Sequence, residues 1–499
     1  MIKPLTKMKN PDNLLNYDVI IVGAGISGIG AAYHLKDQCP NKSFIILESL
    51  DKYGGTWYTH TYPGIRSDSD LYTFGYRFKP WIGPPIATAE EIQDYLEEVI
   101  EDNDIKEHIS YNRHVNNAKW DSESSLWTLE VEEKETGEIK EYSSNFLWMC
   151  QGYYDHEKGY IPDWKGIENF KGQLIHPQNW TENIDYKDKE VVVIGSGATT
   201  ATIVPAMAPD CKHITVLQRS PTYFIPGMNQ QKVANFLRFF KLKEEWVHSL
   251  TRLYILLLQR WFVNKTFKHP EKAKKQLIDG VREYLDPGYD VETHFTPTYR
   301  PWRQRIAFVP DGDIFQGIKS GKASMVTDQI DRFEEDGILL KSGEEIKTDF
   351  VISATGFNLS LLGNIDFYVD NQKVDFSKKV TYRGMMITDI PNMLWIFGYF
   401  RASWTLRVDL MGDFVCRLLK YMDSNGFASA TPFLSDKELK EPLQTWIDEE
   451  NFNPGYLVRS QHKLPKRIKD SCWQHTQDYW EEKKDIPAID LAKAPFTYK

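Results

Sequence analysis

Tyr17-Asp18-Val19-Ile20-Ile21-Val22-Gly23-Ala24-Gly25-Ile26-Ser27-Gly28 is the stretch that decides the fold class of this 499-residue chain. Asp18 to Val22 reads as a strand buried on both faces, because an unbroken β-branched run suits a parallel sheet covered on each side. It runs directly into a glycine turn and then a helix that continues through Ala31, Ala32 and Leu35. A second β run, Ser43-Phe44-Ile45-Ile46-Leu47, ends at Glu48. In a dinucleotide-binding unit Gly23 makes the tight turn, Gly25 lets backbone approach a pyrophosphate, and Gly28 lets the helix pack on the strand. Glu48 then stands where a carboxylate accepts hydrogen bonds from a ribose. The glycine pattern alone is weak evidence; strand, turn, helix and acid at this distance form a specific signal.

The same pattern returns at Glu190-Val191-Val192-Val193-Ile194, followed by Gly195-Ser196-Gly197-Ala198-Thr199-Thr200, a helix through Val204 and a strand from His213 to Leu217. Its third glycine is replaced by Thr200, so helix and strand are expected to sit slightly further apart. No acid follows the second strand; instead come Gln218-Arg219-Ser220. A carboxylate would repel a 2′-phosphate, whereas an arginine fork and a hydroxyl pair with one, so this site is expected to prefer NADPH. The natural acceptor for a hydride from NADPH is a flavin, which makes the first site an FAD site. Two further apolar runs, Phe146 to Gly152 and Phe350 to Gly356, each end in a glycine turn where one unit would hand over to the other. The fold class expected is therefore α/β, with two Rossmann-like dinucleotide-binding domains. The FAD domain is placed at 1–160 and 357–499. The NADPH domain takes 161–223 and 299–356, with a helical insertion at 224–298.

Composition narrows the partners. With 60 Lys and Arg against 70 Asp and Glu the formal charge is -10, the wrong sign for holding nucleic acid by counterion release. The five cysteines lie far apart in sequence, which argues against a zinc site, a redox dithiol or a disulfide framework. Met1 opens onto Lys3, Lys7, Lys9 and Asn10 rather than an apolar run, so no signal peptide and a cytoplasmic location are expected. Aromatic residues reach 13%, enough to fill cores or to line a pocket for a large planar ligand.

From Phe224 to Leu285 the α/β alternation stops and Leu250, Leu253, Tyr254, Leu257, Trp261 and Phe262 recur at helical spacings. This window holds 12 Lys and Arg against 5 Asp and Glu. Two readings stay open. The helices bury their apolar face against the NADPH domain and solvate their charges, or the basic, aromatic patch makes peripheral contact with the inner face of a membrane.

Two segments specify the kind of flavoprotein. Gly54-Gly55-Thr56-Trp57-Tyr58-Thr59-His60-Thr61-Tyr62-Pro63-Gly64-Ile65-Arg66-Ser67-Asp68 and Phe170-Lys171-Gly172-Gln173-Leu174-Ile175-His176-Pro177-Gln178-Asn179-Trp180 resemble the two fingerprints of type I Baeyer–Villiger flavoprotein monooxygenases. The family follows its tryptophan with Pro or Asp; here Thr181 stands in that place. The phrases Tyr62 to Asp70, Val193 to Thr199 and Leu217 to Tyr223 are similar to the ethionamide-activating subgroup. The resemblance implies a monooxygenase that uses NADPH and O2, through a flavin C4a peroxide, to turn ketones into esters and to oxidise the sulfur of thioethers or thioamides. It implies FAD contacts from Ser27, Glu48, Gly55, Thr56, Trp57, Tyr58, Thr59, Asp68 and the backbone of Val115. It implies NADPH contacts from Arg66, Ser67, the turn Gly195, Ser196, Gly197, Ala198, Thr199, Thr200, Ala201, and from Arg219 and Ser220.

The chemistry needs no side-chain nucleophile, but it builds negative charge on oxygen. A permanent cation beside the flavin is therefore required, and arginine suits better than lysine because it cannot act as an acid. In the family this arginine lies in a loop returning from the insertion, here Tyr299-Arg300-Pro301-Trp302-Arg303-Gln304-Arg305. Arg305 is chosen over Arg303 and Arg300 because it directly precedes the apolar strand from Ile306, with Asp68 to orient it. The alternative for Asp68 is a turn or helix-cap aspartate. His176 and Trp180 read as linker residues that couple domain rotation to turnover, or as packing. A flavin-containing monooxygenase limited to N- or S-oxygenation, and a membrane-recruited flavin sensor of NADPH, are the alternative functions.

Overall fold

Val19, Ile20 and Ile21 are completely buried in strand β1 (Leu15–Val22), as a strand covered on both faces requires. The computed structural model describes residues 15–469 and 471–499, so the reading of Met1 to Asn10 lies outside the described residues. The turn after β1 leads into helix α1 (Ile26–Gln38) and then strand β2 (Phe44–Leu47), which pairs parallel with β1. Strand β3 (Ile109–Ser110) extends this sheet beyond β2, and strands β4 (Arg113–Asp121), β5 (Leu126–Glu133) and β6 (Glu138–Met149) form an antiparallel meander on its other side. The second half of β6 runs parallel to β1, with Val22 opposite Met149. A Cβ on Gly28 would lie 1.9 Å from the Gly23 carbonyl oxygen, so only glycine allows α1 to approach β1 this closely.

The second unit is a five-stranded parallel sheet built from β7 (Gln173–Ile175), β8 (Glu190–Ile194), β9 (His213–Gln218), β10 (Ala323–Thr327) and β11 (Phe350–Ser353). Their order is β10-β9-β8-β11-β7. Helix α2 (Ala198–Met207) follows its glycine turn. Thr200 is buried there, and its hydroxyl donates to the Gly195 carbonyl at 3.0 Å. Where α1 meets its strand through a glycine, α2 places a threonine hydroxyl on the turn's carbonyl.

Three helices dominate the insertion: α3 (Lys232–Phe239), α4 (Glu244–Lys268) and α5 (Pro270–Arg282). Phe224–Gly227, expected to be helical, is instead a short strand paired parallel with Ala307–Pro310. The expectation that the helices bury themselves on the second unit holds for α5, whose Leu277, Ile278 and Val281 enter that unit's core. It fails for α4, whose Val247 and Ile255 enter the core of the first unit.

Arg252 shows why α4 sits there. It is buried, and its Nη1 donates to the carbonyls of Tyr72, Thr73 and Gly75 at the end of the short helix Leu71–Phe74, which supplies partners to orphan C-terminal acceptors. Its Nη2 lies 3.7 Å from Asp409, which His34 also contacts at 3.1 Å. Asp409 belongs to α6 (Thr405–Asn425), which packs on α1 after strand β12 (Met393–Trp395) has joined β6. The chain thus returns to the first unit and completes it.

Cys39, Cys150, Cys211 and Cys416 are buried. Cys39 and Cys416 meet in the core of the first unit, where the Cys39 thiol faces the Cys416 carbonyl at 3.7 Å.

Candidate active site

A cleft of about 490 Å³ runs from the glycine turn after β1 to the face of α2. Gly23, Gly25 and Ser27 line its start, and Gly55, Thr56, Trp57 and Thr59 face them. Gly54 and Gly55 have φ of +114° and +55°, where side chains are disfavoured, and a Cβ on Gly55 would stand 3.3 Å from the Cα of Gly25. The two glycine segments form a bare backbone cradle. Glu48 lines it too, its carboxylate held by the backbone N–H groups of Ala24 at 2.6 Å and Leu50 at 2.9 Å. Burial pushes the Glu48 carboxyl up, and those two donors oppose the shift. Val115 borders the same end.

Both fingerprints lie at junctions between the units. Gly64 has φ of +74°, and a Cβ there would lie 2.7 Å from that of Ala206, so the loop presses directly on α2. Arg66 crosses the same boundary: its Nη1 binds Asp313 at 2.6 Å and its Nη2 donates to the Ala201 carbonyl at 3.1 Å. Ser67 is buried, its hydroxyl accepting from Ala87 N–H at 3.3 Å. In the second fingerprint the His176 ring occupies the notch left by Gly159, and its Nε2 faces the Gly356 carbonyl at 3.0 Å. Trp180 packs on the core of the second unit and accepts, through its carbonyl, from Thr61 Oγ1 at 3.1 Å. Neither His176 nor Trp180 lines the cleft.

Of Arg300, Arg303 and Arg305, only Arg305 lines the cleft. Its Nη1 is 3.9 Å from Asp68 Oδ2 and its Nη2 donates to the Tyr153 hydroxyl at 3.3 Å. The Arg305 Nε is buried with no partner among the described residues. Arg300 is occupied elsewhere, donating to the Asn451 carbonyl at 3.1 Å and lying over the Phe267 ring. Asp68 is not the helix cap; Asp70 is, accepting from Tyr72 N–H at 2.9 Å.

Sequence reading missed the aromatic wall beside Arg305. Tyr153 stacks on Trp404 with centroids 5.2 Å apart, and Trp404 Nε1 donates to Ser27 Oγ at 2.7 Å. The Tyr153 hydroxyl donates to that of Tyr154 at 2.7 Å, and burial raises the pKa of both phenols. His60 and His156 also line the cleft; burial lowers the His60 imidazole to about 4, leaving it neutral at pH 7. Tyr153, Tyr154, His156 and Trp404 lie outside the motifs, and His60 occupies a variable place of the first fingerprint.

At the second unit, Ala198 and Thr199 reach the cleft. A Cβ on Gly197 would meet nothing within 4 Å, so its backbone can be approached. Ser196 Oγ faces Thr222 Oγ1 at 2.9 Å. Arg219 and Ser220 are exposed at the end of β9, and no described carboxylate pairs with Arg219. Tyr58 does not line the cleft; its hydroxyl donates to Asp51 at 2.7 Å.

These features fit two dinucleotides. The chain is 42% identical over 488 residues to the FAD-containing monooxygenase EthA of Mycobacterium tuberculosis, covering 96% of this chain and 98% of that protein. The chain belongs to the FAD-containing monooxygenases. EthA of Mycolicibacterium smegmatis is 42% identical over 468 residues, covering 93% of each chain. A flavin-binding monooxygenase-like family model matches residues 82–278 of this monooxygenase, and an NAD(P)-binding Rossmann-like model matches 21–96. A steroid monooxygenase bound to NADP shares the fold of this monooxygenase with a TM-score of 0.75 at 21% identity, over 97% of this chain and 99% of that one. A cyclohexanone monooxygenase from Rhodococcus sp. Phi1 bound to NADP+ does so at 0.72 and 18%, over 97% and 99%. Membership brings the enzyme class and the FAD cofactor that the motifs point to, and the Rossmann-like match agrees with a dinucleotide-binding fold.

Proposed function

We propose that this monooxygenase uses NADPH and O2 to convert ketones to esters and to oxidise the sulfur of thioethers or thioamides. The observation that carries this reading is the placement of Arg305 and Asp68 on one wall of a cleft that both nucleotide units line. A flavin held in this cleft and reduced by NADPH would supply the electrons that activate O2. The protein's part is positioning and charge. The cradle of Gly23, Gly25, Gly54 and Gly55 holds a pyrophosphate by backbone, and Glu48 accepts from a ribose hydroxyl.

Arg305 holds a fixed positive charge where negative charge develops on oxygen, a role worth ~3–4 kcal/mol for a single well-placed donor. Its side chain is partly open to the cleft, while Asp68 and Tyr153 stand beside its two Nη atoms. Trp404, Tyr153 and Tyr154 wall the site with aromatic surface, which favours an apolar carbonyl or sulfur substrate and excludes water. Arg219 and Ser220 take the 2′-phosphate of NADPH, and Arg66, Ser67 and the turn from Gly195 to Ala201 take the rest of that nucleotide.

The division into an FAD domain at 1–160 and 357–499, an NADPH domain at 161–223 and 299–356, and an insertion at 224–298 belongs to the same proposal, as does a cytoplasmic location. No helix among the described residues is long and apolar enough to cross a membrane. A panel of ketones, thioethers and thioamides supplied with NADPH tests the function by product identification. Ester from a simple ketone is the expected result; S- or N-oxides with no ester would give the alternative of heteroatom oxygenation. NADPH consumption that does not rise with any substrate would leave a nucleotide sensor.

A further inference from the structure

Helix α4 is inside out. Its buried positions are Val247, His248, Thr251, Arg252, Ile255, Leu256 and Thr266, four of the seven polar. The opposite face carries Trp246, Leu250, Leu253, Tyr254, Leu257 and Leu258, all exposed by 41% or more, then Trp261 at 54%. Between Trp246 and Gln259 no charged side chain is exposed on this helix. The neighbouring α3 adds Phe236, Phe239 and Phe240, with Leu242 in the connection. A contiguous apolar surface on two adjacent helices is not what a soluble monomer presents to water.

The rim of this surface is basic. Residues 232–268 contain eight Lys and Arg but only two Asp and Glu, in a chain of net charge -10. Among the described residues Glu244 is paired with Arg238, while Lys232, Lys241, Lys243, Arg260 and Lys268 have no carboxylate partner. A two-fold pairing of this face with a second copy would set these cations against each other. An anionic surface would neutralise them. Leucines flanked by tryptophan and tyrosine, with cations at the edge, are what a helix lying in a lipid headgroup region needs.

We infer that the outer face of α3 and α4 seats this enzyme on the surface of an anionic lipid bilayer, with the helices parallel to the membrane plane. The face is one residue layer from the cleft. Leu256 on the inner side of α4 packs against Tyr399 and Ala402, and both line the cleft. Phe74, also a lining residue, ends the short helix that Arg252 holds. A lipid-seated enzyme would therefore draw apolar ketones or organosulfur compounds from the membrane phase.

The test uses the full-length FAD-bound protein and sedimentation with vesicles of phosphatidylglycerol and phosphatidylcholine, or of phosphatidylcholine alone. Binding is expected with the anionic vesicles, with affinity falling as salt rises. Leu253→Glu with Leu257→Glu should weaken it about tenfold or more, because two buried apolar side chains are replaced by anions. Lys241→Glu with Lys243→Glu should weaken it chiefly at low salt. Both variants alter exposed residues away from the cleft, so turnover of a water-soluble ketone should be unchanged; this separates failure of lipid binding from failure of the catalytic proposal. Absence of binding to anionic vesicles would overturn the inference. A concentration-dependent dimer that the leucine variant dissociates, without vesicle binding, would reassign the face to self-association.

Discussion

Arg305 Nη1 stands 3.9 Å from Asp68 Oδ2, too long for a hydrogen bond but within reach of strong charge–charge attraction. The pair is half-open to the cleft, with side chains 36% and 37% exposed. An arginine clamped in a tight ion pair would spend its charge on its partner; this one retains it for the site.

Replacing that cation separates binding from chemistry. Arg305→Ala is expected to keep FAD and to oxidise NADPH, while ester formation falls by about 10²–10³, the loss typical of one charge-stabilising donor. Product analysis beside NADPH consumption checks this, and wild-type ester yield would sink the assignment. Asp68→Asn should lower the same rate less, about tenfold, with FAD content unchanged.

Cofactor choice should follow Arg219. Because it is exposed and no described carboxylate pairs with it, its guanidinium is available to a 2′-phosphate. Arg219→Ala is expected to raise KM for NADPH about tenfold or more and to leave KM for NADH nearly unchanged, since two charge-assisted bonds are lost only with the phosphorylated nucleotide. Equal effects on both nucleotides would exclude the role.

Backbone approach at the first turn is testable through Gly28. A Cβ there would fall 1.9 Å from the Gly23 carbonyl oxygen, a backbone atom that cannot move aside cheaply. Gly28→Ala should purify with a much reduced flavin-to-protein absorbance ratio. Full FAD occupancy would show that α1 can slide on β1.

Acid should destabilise the fold. Burial lowers the imidazole of His60 to about 4, of His248 to about 4 and of His475 to about 3. Between about pH 6.5 and 4 the unfolded chain then binds more protons than the folded one, so stability is lost as pH falls through that window. Thermal unfolding midpoints should drop steadily from pH 7 to 4. His60→Asn should flatten the curve, since His60 alone accounts for up to about 3 kcal/mol of it at pH 4.

Much of this was legible in the sequence. Both glycine turns, Glu48 and the nucleotide units follow from periodicity and glycine spacing, because each marks a local backbone requirement. The loop's family resemblance singles out Arg305, and the structure puts that residue in the cleft lining. The aromatic wall was not legible, since Tyr153 and Trp404 meet from positions 251 residues apart with no spacing to signal it. Nor could spacing say which face of α4 is inside. Leucines at helical intervals look like a core stripe until the structure shows His248, Thr251 and Arg252 taking the buried side. Phe224–Gly227 falls in a window that reads as helical, because its strand exists only against the distant partner Ala307–Pro310.

The anchoring of Arg252 has a consequence for motion. The insertion is spliced into the second nucleotide unit, yet its longest helix is riveted to the first, and α5 is fastened to the second. The insertion is thus a strap across the joint. Swinging one unit against the other must be absorbed where α4 gives way to α5, at His269, and in the segment from Met228 to Gln231. Deleting the strap would free the joint but leave three carbonyls and Asp409 without their cation.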